Sequence, residues 1–260
     1  MNHMIHHHHQ GLTWLQFPHL TEYKNIRHGI FTRLGGFSLP PYQSLNVSGS
    51  NGDDPDHVHR NRCLISEQMG HADMVFIRQT HGVMVFVVTA QSLPMSPPLP
   101  EADALVTQLP QKNLMIQVAD CQAILIYDPI KQVVANIHSG WRGSIGNIVG
   151  KTIQTMVEMF QCSPQDMLAG IGPSLGPCCS EFVNYRMEIP KAMWGYRLPK
   201  NHFDFWAMTQ DQLVDAGVPG TRIQQSGLCT RCRTDLFFSY RKEKRTGRFA
   251  ALIGMTDETI

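Results

Sequence analysis

Residues 113–129, NLMIQVADCQAILIYDP, and residues 132–140, QVVANIHSG, carry the reading that decides the fold. Their aliphatic and β-branched richness predicts buried strands, bounded by Lys-Asn and Asp-Pro pairs and interrupted at Asp120-Cys121. The second piece is a further strand that ends at His138. A Gly-rich turn follows, and residues 146–160, GNIVGKTIQTMVEMF, place Ile148, Ile153, Met156, Val157 and Phe160 at helical intervals. Strand, turn and helix therefore succeed one another, with a histidine at the strand's lip.

Working outward, residues 74–89, MVFIRQTHGVMVFVVT, read as two short strands at 74–77 and 83–88 with His81 in the turn between them. Residues 92–107 begin rich in proline and separate this pair from the central strands. Residues 29–55 open with a short apolar piece and then fill with Gly, Ser, Pro, Asn and Asp, which predicts a long loop. Residues 55–70 show near-helical apolar spacing, a proline suited to a first turn and Gly70 as a stop, so a helix is expected. Near the end, residues 236–240 and a strand from Phe249 read as a hairpin around a basic turn at Thr246-Gly247. No fixed-period repeat, heptad or linker is evident. The expected class is α+β: one domain over 11–260, with mixed β-sheets flanked by α-helices. Residues 1–10, MNHMIHHHHQ, are set aside as a disordered or tag-like His-rich tail.

The chain has 260 residues, 42% apolar and 17% charged, a globular composition long enough to bury a sizeable core. A formal net charge of +1 gives no electrostatic reason to expect nucleic acid or an anionic membrane as partner. No apolar run approaches the ~20 residues that cross a bilayer, and no secretory h-region opens the chain, so a cytoplasmic protein is expected. Seven cysteines, an odd number, argue for reduced thiols over a disulfide framework.

His81, Cys121 and His138 each stand where an apolar strand meets a turn, the placement that suits ligands. Imidazole and thiolate are donors that zinc accepts, and three protein ligands leave a fourth tetrahedral position for chemistry. The separations, 40 residues (121 minus 81) and 17 (138 minus 121), match no short zinc-finger signature, and taken singly each fits a structural histidine or a buried thiol. Asp120 could orient a ligand or move protons, although strand alternation would turn it away from Cys121. Asp103 and Glu181 are further carboxylates with a bland loop-capping alternative. CTRC, residues 229–232, is half a structural zinc site; adjacent Cys178 and Cys179 make a poor second half, so such a site is not expected. His57 and His59, two apart on a helix, do not share a face and read as exposed.

In order along the chain come FTRLGGFS, SLNVSGSNGDDP, NR, QTHG, EADALVT, ADC, HSGWRG, IGPSLGPCCSEF and FFSYRKEKRTGR. This ordered series resembles the laccase-domain family, also called YfiH-like or peptidoglycan editing factor, from about Phe31 to the end. The resemblance implies a layered YfiH-like sandwich and a purine nucleoside phosphorylase with accompanying adenosine deaminase and methylthioadenosine phosphorylase activity. It implies His81, Cys121 and His138 as ligands of catalytic zinc, with copper as the alternative from an earlier label of copper-dependent phenol oxidation. Substrates would be purine nucleosides and phosphate. Arg62, Arg142 and Asn46 are the candidates for holding phosphate or ribose, because an Arg fork matches phosphate geometry. Two other readings stay open: a cysteine hydrolase with Cys121 as nucleophile and His138 as base, and a non-catalytic cell-wall partner protein whose metal braces loops. The sequence is silent on oligomeric state.

Overall fold

The computed structural model describes residues 4–92 and 98–257. Part of the proline-rich stretch, and His3, lie outside the described residues. The first sheet runs in the order β1 (Ile5–His9), β2 (Leu12–Gln16), β3 (Ile26–Phe31), β14 (Phe249–Met255), β7 (Lys112–Val118) and β4 (Asp73–Val75). The second runs β13 (Ile223–Gln225), β10 (Leu168–Ile171), β8 (Gln122–Asp128), β9 (Val133–Ser139), β6 (Ala104–Thr107) and β5 (Val85–Val87). β11 (Arg197–Leu198) and β12 (His202–Phe203) form a small separate ladder. Pairing is antiparallel except at β4 with β7, β5 with β6 and β10 with β13, so both sheets are mixed. The helices are α1 (Pro18–Thr21), α2 (Pro55–Gln68), α3 (Trp141–Ile145), α4 (Ile148–Phe160), α5 (Tyr185–Glu188), α6 (Phe205–Asp215) and α7 (Tyr240–Glu243).

Alternation along the strands builds the layers. On β14, Phe249, Ala251 and Ile253 join the cluster between the sheets, while Ala250 and Leu252 face the other way, toward Leu45 and toward Ile65 of α2. On β8, Leu125 and Tyr127 enter the inter-sheet cluster, whereas Ile124 and Ile126 pack with Ile148, Ile153 and Met156 of α4. The result is helix and loop, sheet, sheet, helix, as the sequence predicts. A buried amide crosses the sandwich: Asn136 of β9 donates from Nδ2 to the Leu114 carbonyl of β7 (2.9 Å) and the Ala251 carbonyl of β14 (2.8 Å).

Two expectations need correction. Ile5–His9 is not a tail: it is a strand, in register with Leu12–Gln16 from Ile5 opposite Gln16 to His9 opposite Leu12, and His7 stacks on Trp14 at 5.0 Å. Backbone pairing with an apolar neighbour, not its own apolar pattern, holds it. The expected hairpin keeps only its second strand, because residues 236–240 lead into α7, where the Ser239 hydroxyl caps Lys242 N.

His28 of β3 is 1% exposed, and its Nε2 accepts from Phe17 N at 2.9 Å, which requires a neutral ring. Burial lowers its pKa from 6.5 to about 3. Between those values the unfolded chain binds a proton that the folded chain refuses, so stability rises with pH across the window and is lost as pH falls through it. Each unit of acidification below pH 6.5 is expected to cost roughly 1.4 kcal/mol. Denaturant midpoints of the wild type and His28→Gln between pH 7 and pH 4 check this, with the variant showing the shallower slope and parallel curves contradicting it.

Candidate active site

β7 belongs to the first sheet and β8 to the second, so residues 119–121 carry the chain across the open edge of the sandwich. That crossing turns at Asp120, whose φ of 87° is the left-handed region that side chains resist. The carboxylate holds the turn. Its Oδ1 accepts from Thr230 Oγ1 (2.6 Å) and Ser239 Oγ (2.7 Å), its Oδ2 accepts from Arg241 N (2.6 Å), and its carbonyl accepts from Leu175 N. Asp120 is thus a bracket for the residue after it, Cys121.

Asp103 gathers the rest. Fully buried, it accepts from His81 N (2.9 Å) and His138 Nδ1 (2.8 Å) through Oδ1, and from Gly82 N (2.6 Å) and Thr80 Oγ1 (2.9 Å) through Oδ2. Its own carbonyl takes His138 N at 2.7 Å. One carboxylate therefore fixes both the His81 turn, where φ is 60°, and the ring of His138 at the end of β9. Burial alone would raise the Asp103 carboxyl, but the bonds from His138, Gly82 and Thr80 prevail and hold it at about 2.

The ligand atoms of His81, Cys121 and His138 all lie within 4.8 Å of one another, and the two imidazoles meet edge to face at 4.8 Å between centroids. Burial opposes the Cys121 thiolate, yet the neighbouring His138 and His81 bring its pKa down to about 6. His138 is drawn the other way, up to about 9, because the thiolate and Asp103 outweigh the cost of burying its charge. The pair thus leans toward thiolate and imidazolium, a ligand set that exchanges one proton for a cation. With Nδ1 committed to Asp103, Nε2 is the nitrogen of His138 turned to the thiol side, the arrangement in which a carboxylate orients a metal-binding histidine.

The donors fit a borderline-soft ion such as zinc or copper. His81 is exposed, Cys121 half-buried and His138 buried, and among the described residues no fourth His, Cys, Asp or Glu joins them. Gly140, at φ −76°, leaves the room they need: a Cβ there would stand 3.1 Å from Cys121 Sγ and 3.1 Å from His81 Cδ2. Its backbone would accept alanine, so Gly140→Ala isolates the steric demand. Overpacking of this kind costs roughly 1–3 kcal/mol, expected as faster loss of a bound ion to a competing chelator, and unchanged retention would contradict the tight cradle.

Of the other residues singled out, Asn46 is fully buried, its amide engaged with Ser48, Asn51, Asp53 and Arg248 N. Arg62 donates Nε and Nη2 to the Val47 carbonyl (2.9 and 2.7 Å) and covers Phe76. Both brace the 46–53 loop. Arg142 is exposed, with its guanidinium 4.1 Å from the Trp141 ring. The Glu181 side chain is exposed, and His57 and His59 lie on the outer part of α2. Sequence reasoning undervalued the basic turn after α7. Asn51, Tyr240, Lys244, Arg245, Thr246 and Arg248 line a cavity of about 390 Å³. Arg248 loses some of its basicity to burial while feeling the charges of Cys121 and Asp120, which places the cavity in the field of the centre. The signal was in FFSYRKEKRTGR: three cations around a Thr-Gly turn, directly after the Ser239 that holds Asp120.

The two-sheet mixed α+β sandwich is that of a YfiH-like protein. The chain belongs to the laccase-domain family: the family model described as multi-copper polyphenol oxidoreductase laccase matches residues 27–256. It is 33% identical to a purine nucleoside phosphorylase of Bacteroides thetaiotaomicron over 248 residues, covering 88% of this chain and 90% of that one. To the purine nucleoside phosphorylase YfiH of Escherichia coli it is 32% identical over 230 residues, 85% of this chain and 90% of that one. Among solved structures, Bacillus licheniformis YfiH superposes with a TM-score of 0.87 at 27% identity, covering 95% and 97% of the two chains. Geobacillus stearothermophilus YlmD gives 0.85 at 28%, covering 96% and 98%.

Proposed function

We propose that this chain is a zinc-dependent purine nucleoside phosphorylase acting on adenosine, inosine, guanosine and methylthioadenosine, with adenosine deamination as a secondary activity. The observation that carries the reading is the convergence of His81, Cys121 and His138 beside a cation-lined cavity, in a chain whose relatives bear the name purine nucleoside phosphorylase. When bound, zinc supplies a Lewis acid able to bring the pKa of water from 15.7 toward ~7, the property a deaminase needs.

The chain's own residues do the rest. Asp103 keeps the His138 proton on Nδ1 and so presents Nε2, while Cys121 is held as thiolate. Lys244, Arg245 and Arg248 line the cavity and supply the charge that binds phosphate, and the exposed Arg142 is a further candidate cation for it. Asn46 and Arg62 act from beneath by fixing the loop that carries Asn51. In phosphorolysis a phosphate oxygen bonds to the anomeric carbon as the bond to the purine nitrogen breaks. The purine leaves with the electron pair and takes up a proton, giving free base and ribose 1-phosphate. Preorganised cations stabilise charge that develops at such a centre.

One observation favours a second reading. Cys121, His138 and Asp103 also stand as nucleophile, base and orienting carboxylate, the arrangement of a cysteine hydrolase. The two separate on one experiment: chelator-stripped and zinc-restored protein is incubated with adenosine or inosine, with and without phosphate, and the products are identified. Free base that requires both zinc and phosphate supports the phosphorylase. Turnover of an ester by stripped protein, with no nucleoside cleavage under any condition, overturns it. No helix among the described residues is long and apolar enough to cross a membrane. A cytoplasmic location is part of the same proposal, and localisation of a tagged chain would check it.

A further inference from the structure

Outside the centre described above, four thiols converge. Cys178 and Cys179 follow β10, Cys229 and Cys232 follow β13, and all four sulfur atoms lie within 4.8 Å of one another. The separations are 3.7 Å from Cys178 to Cys179, 3.7 Å from Cys178 to Cys232 and 3.5 Å from Cys179 to Cys232. Thiolates 2.3 Å from a tetrahedral zinc ion stand about 3.8 Å apart, whereas a disulfide brings sulfurs to about 2.05 Å.

Backbone geometry explains how adjacent cysteines share one site, against the expectation drawn from the sequence. Cys179 N bonds to the Gly176 carbonyl at 2.9 Å, closing a turn in which successive side chains diverge by roughly 100°, as on a helix, and not by the 180° of a strand. On the other arm Arg233 N bonds to the Cys229 carbonyl at 3.0 Å and curls residues 229–232 around the same point. The arms are tied side by side: Ser174 N donates to the Leu228 carbonyl and Thr230 N to the Ser174 carbonyl. Donors face the sulfurs, with Gly176 N 3.3 Å from Cys229 Sγ and Arg231 Nη1 3.4 Å from Cys179 Sγ. Such contacts offset the excess negative charge of four thiolates around a divalent ion.

We propose that Cys178, Cys179, Cys229 and Cys232 form a second, closed metal site that binds one zinc ion and clamps these two loops behind the Asp120 turn. Leu175 and Thr230, which hold Asp120, lie on the clamped segments, so the ion stiffens the support of Cys121 without touching it. The proposal rests on the sulfur geometry and stands apart from the assignment of the nucleoside reaction.

The test is zinc content by elemental analysis, on protein kept reduced and passed over a weak chelator that strips surface histidines such as His6 to His9. Wild type is expected to retain one more zinc per chain than Cys232→Ser, and that variant to melt roughly 5 °C or more lower. Cys121→Ala reports separately on the other centre, so the failure of one assignment leaves the other readable. If Cys232→Ser does not fold, cobalt added to metal-stripped wild type replaces it as the measure. Thiolate-to-cobalt charge transfer, with these thiols protected from alkylation until a strong chelator is added, supports the site. Equal zinc in wild type and variant, iron in place of zinc, unprotected thiols, or cysteines already linked before reductant is omitted would overturn it.

Discussion

Cys121→Ala is expected to lose the ion of the His81, Cys121, His138 centre and to lower phosphate-dependent release of base from inosine by roughly a thousandfold or more. Removing the thiolate leaves two imidazoles, one of them exposed, and takes away the anion that offsets a divalent charge. A metal acting as Lewis acid contributes several kcal/mol to its transition state, and each 1.36 kcal/mol is a factor of ten in rate. Metal content and initial rate should fall together, with circular dichroism confirming that the strands persist. A variant that keeps its ion and works within a few-fold of wild type would dissociate this centre from the chemistry.

The second large effect is expected at a residue that touches neither ion nor substrate. Asp103→Asn replaces one carboxylate oxygen by an amide that can only donate, yet every partner there is a donor: His81 N, His138 Nδ1, Gly82 N, Thr80 Oγ1. Leaving such groups buried and unpaired costs roughly 1–3 kcal/mol. Freed from its carboxylate, His138 should bind metal about 10- to 100-fold more weakly. Chelator competition measures the affinity and thermal melting the stability. A purely structural role would lower the melting temperature and leave affinity per folded molecule unchanged. The pH dependence has a definite sign too. The folded carboxyl sits at about 2, below its usual 3.8, so its stabilising contribution is present above pH 3.8 and fades as pH falls through about 2.

The central strands and α2 were legible because burial writes itself into spacing. Lys112–Val118, Gln122–Asp128 and Val133–Ser139 are apolar on both faces, as strands buried between a sheet and a helix must be, and Pro55 marks the start of α2. Ile5–His9 could not be read that way, since exposed histidines on an edge strand carry no alternation and the strand exists through pairing with Leu12–Gln16. Phe237 and Phe238 mimic a strand, yet both are buried as single anchors ahead of a helical turn. The site was legible in part. His81, Cys121 and His138 show themselves by standing at strand ends, and the resemblance joins them. Asp103 stands out only as a carboxylate in EADALVT, because its reach of 22 residues back to His81 and 35 forward to His138 has no signature in local spacing, and the meeting of a vicinal cysteine pair with CTRC depends likewise on turns made far apart in the chain.

Aliphatic interfaces have no preferred direction, and two stacked sheets held by them alone can slide as their side chains are exchanged. Asn136 denies this sandwich that freedom, because one amide must reach two carbonyls on the facing sheet. His138 stands two residues further along the same strand, and Cys121 follows the strand to which the amide is tied. Substitutions in the core can therefore accumulate while the gap between those two ligands keeps its width, as a hinge pin preserves the fit of a door whose panels are replaced.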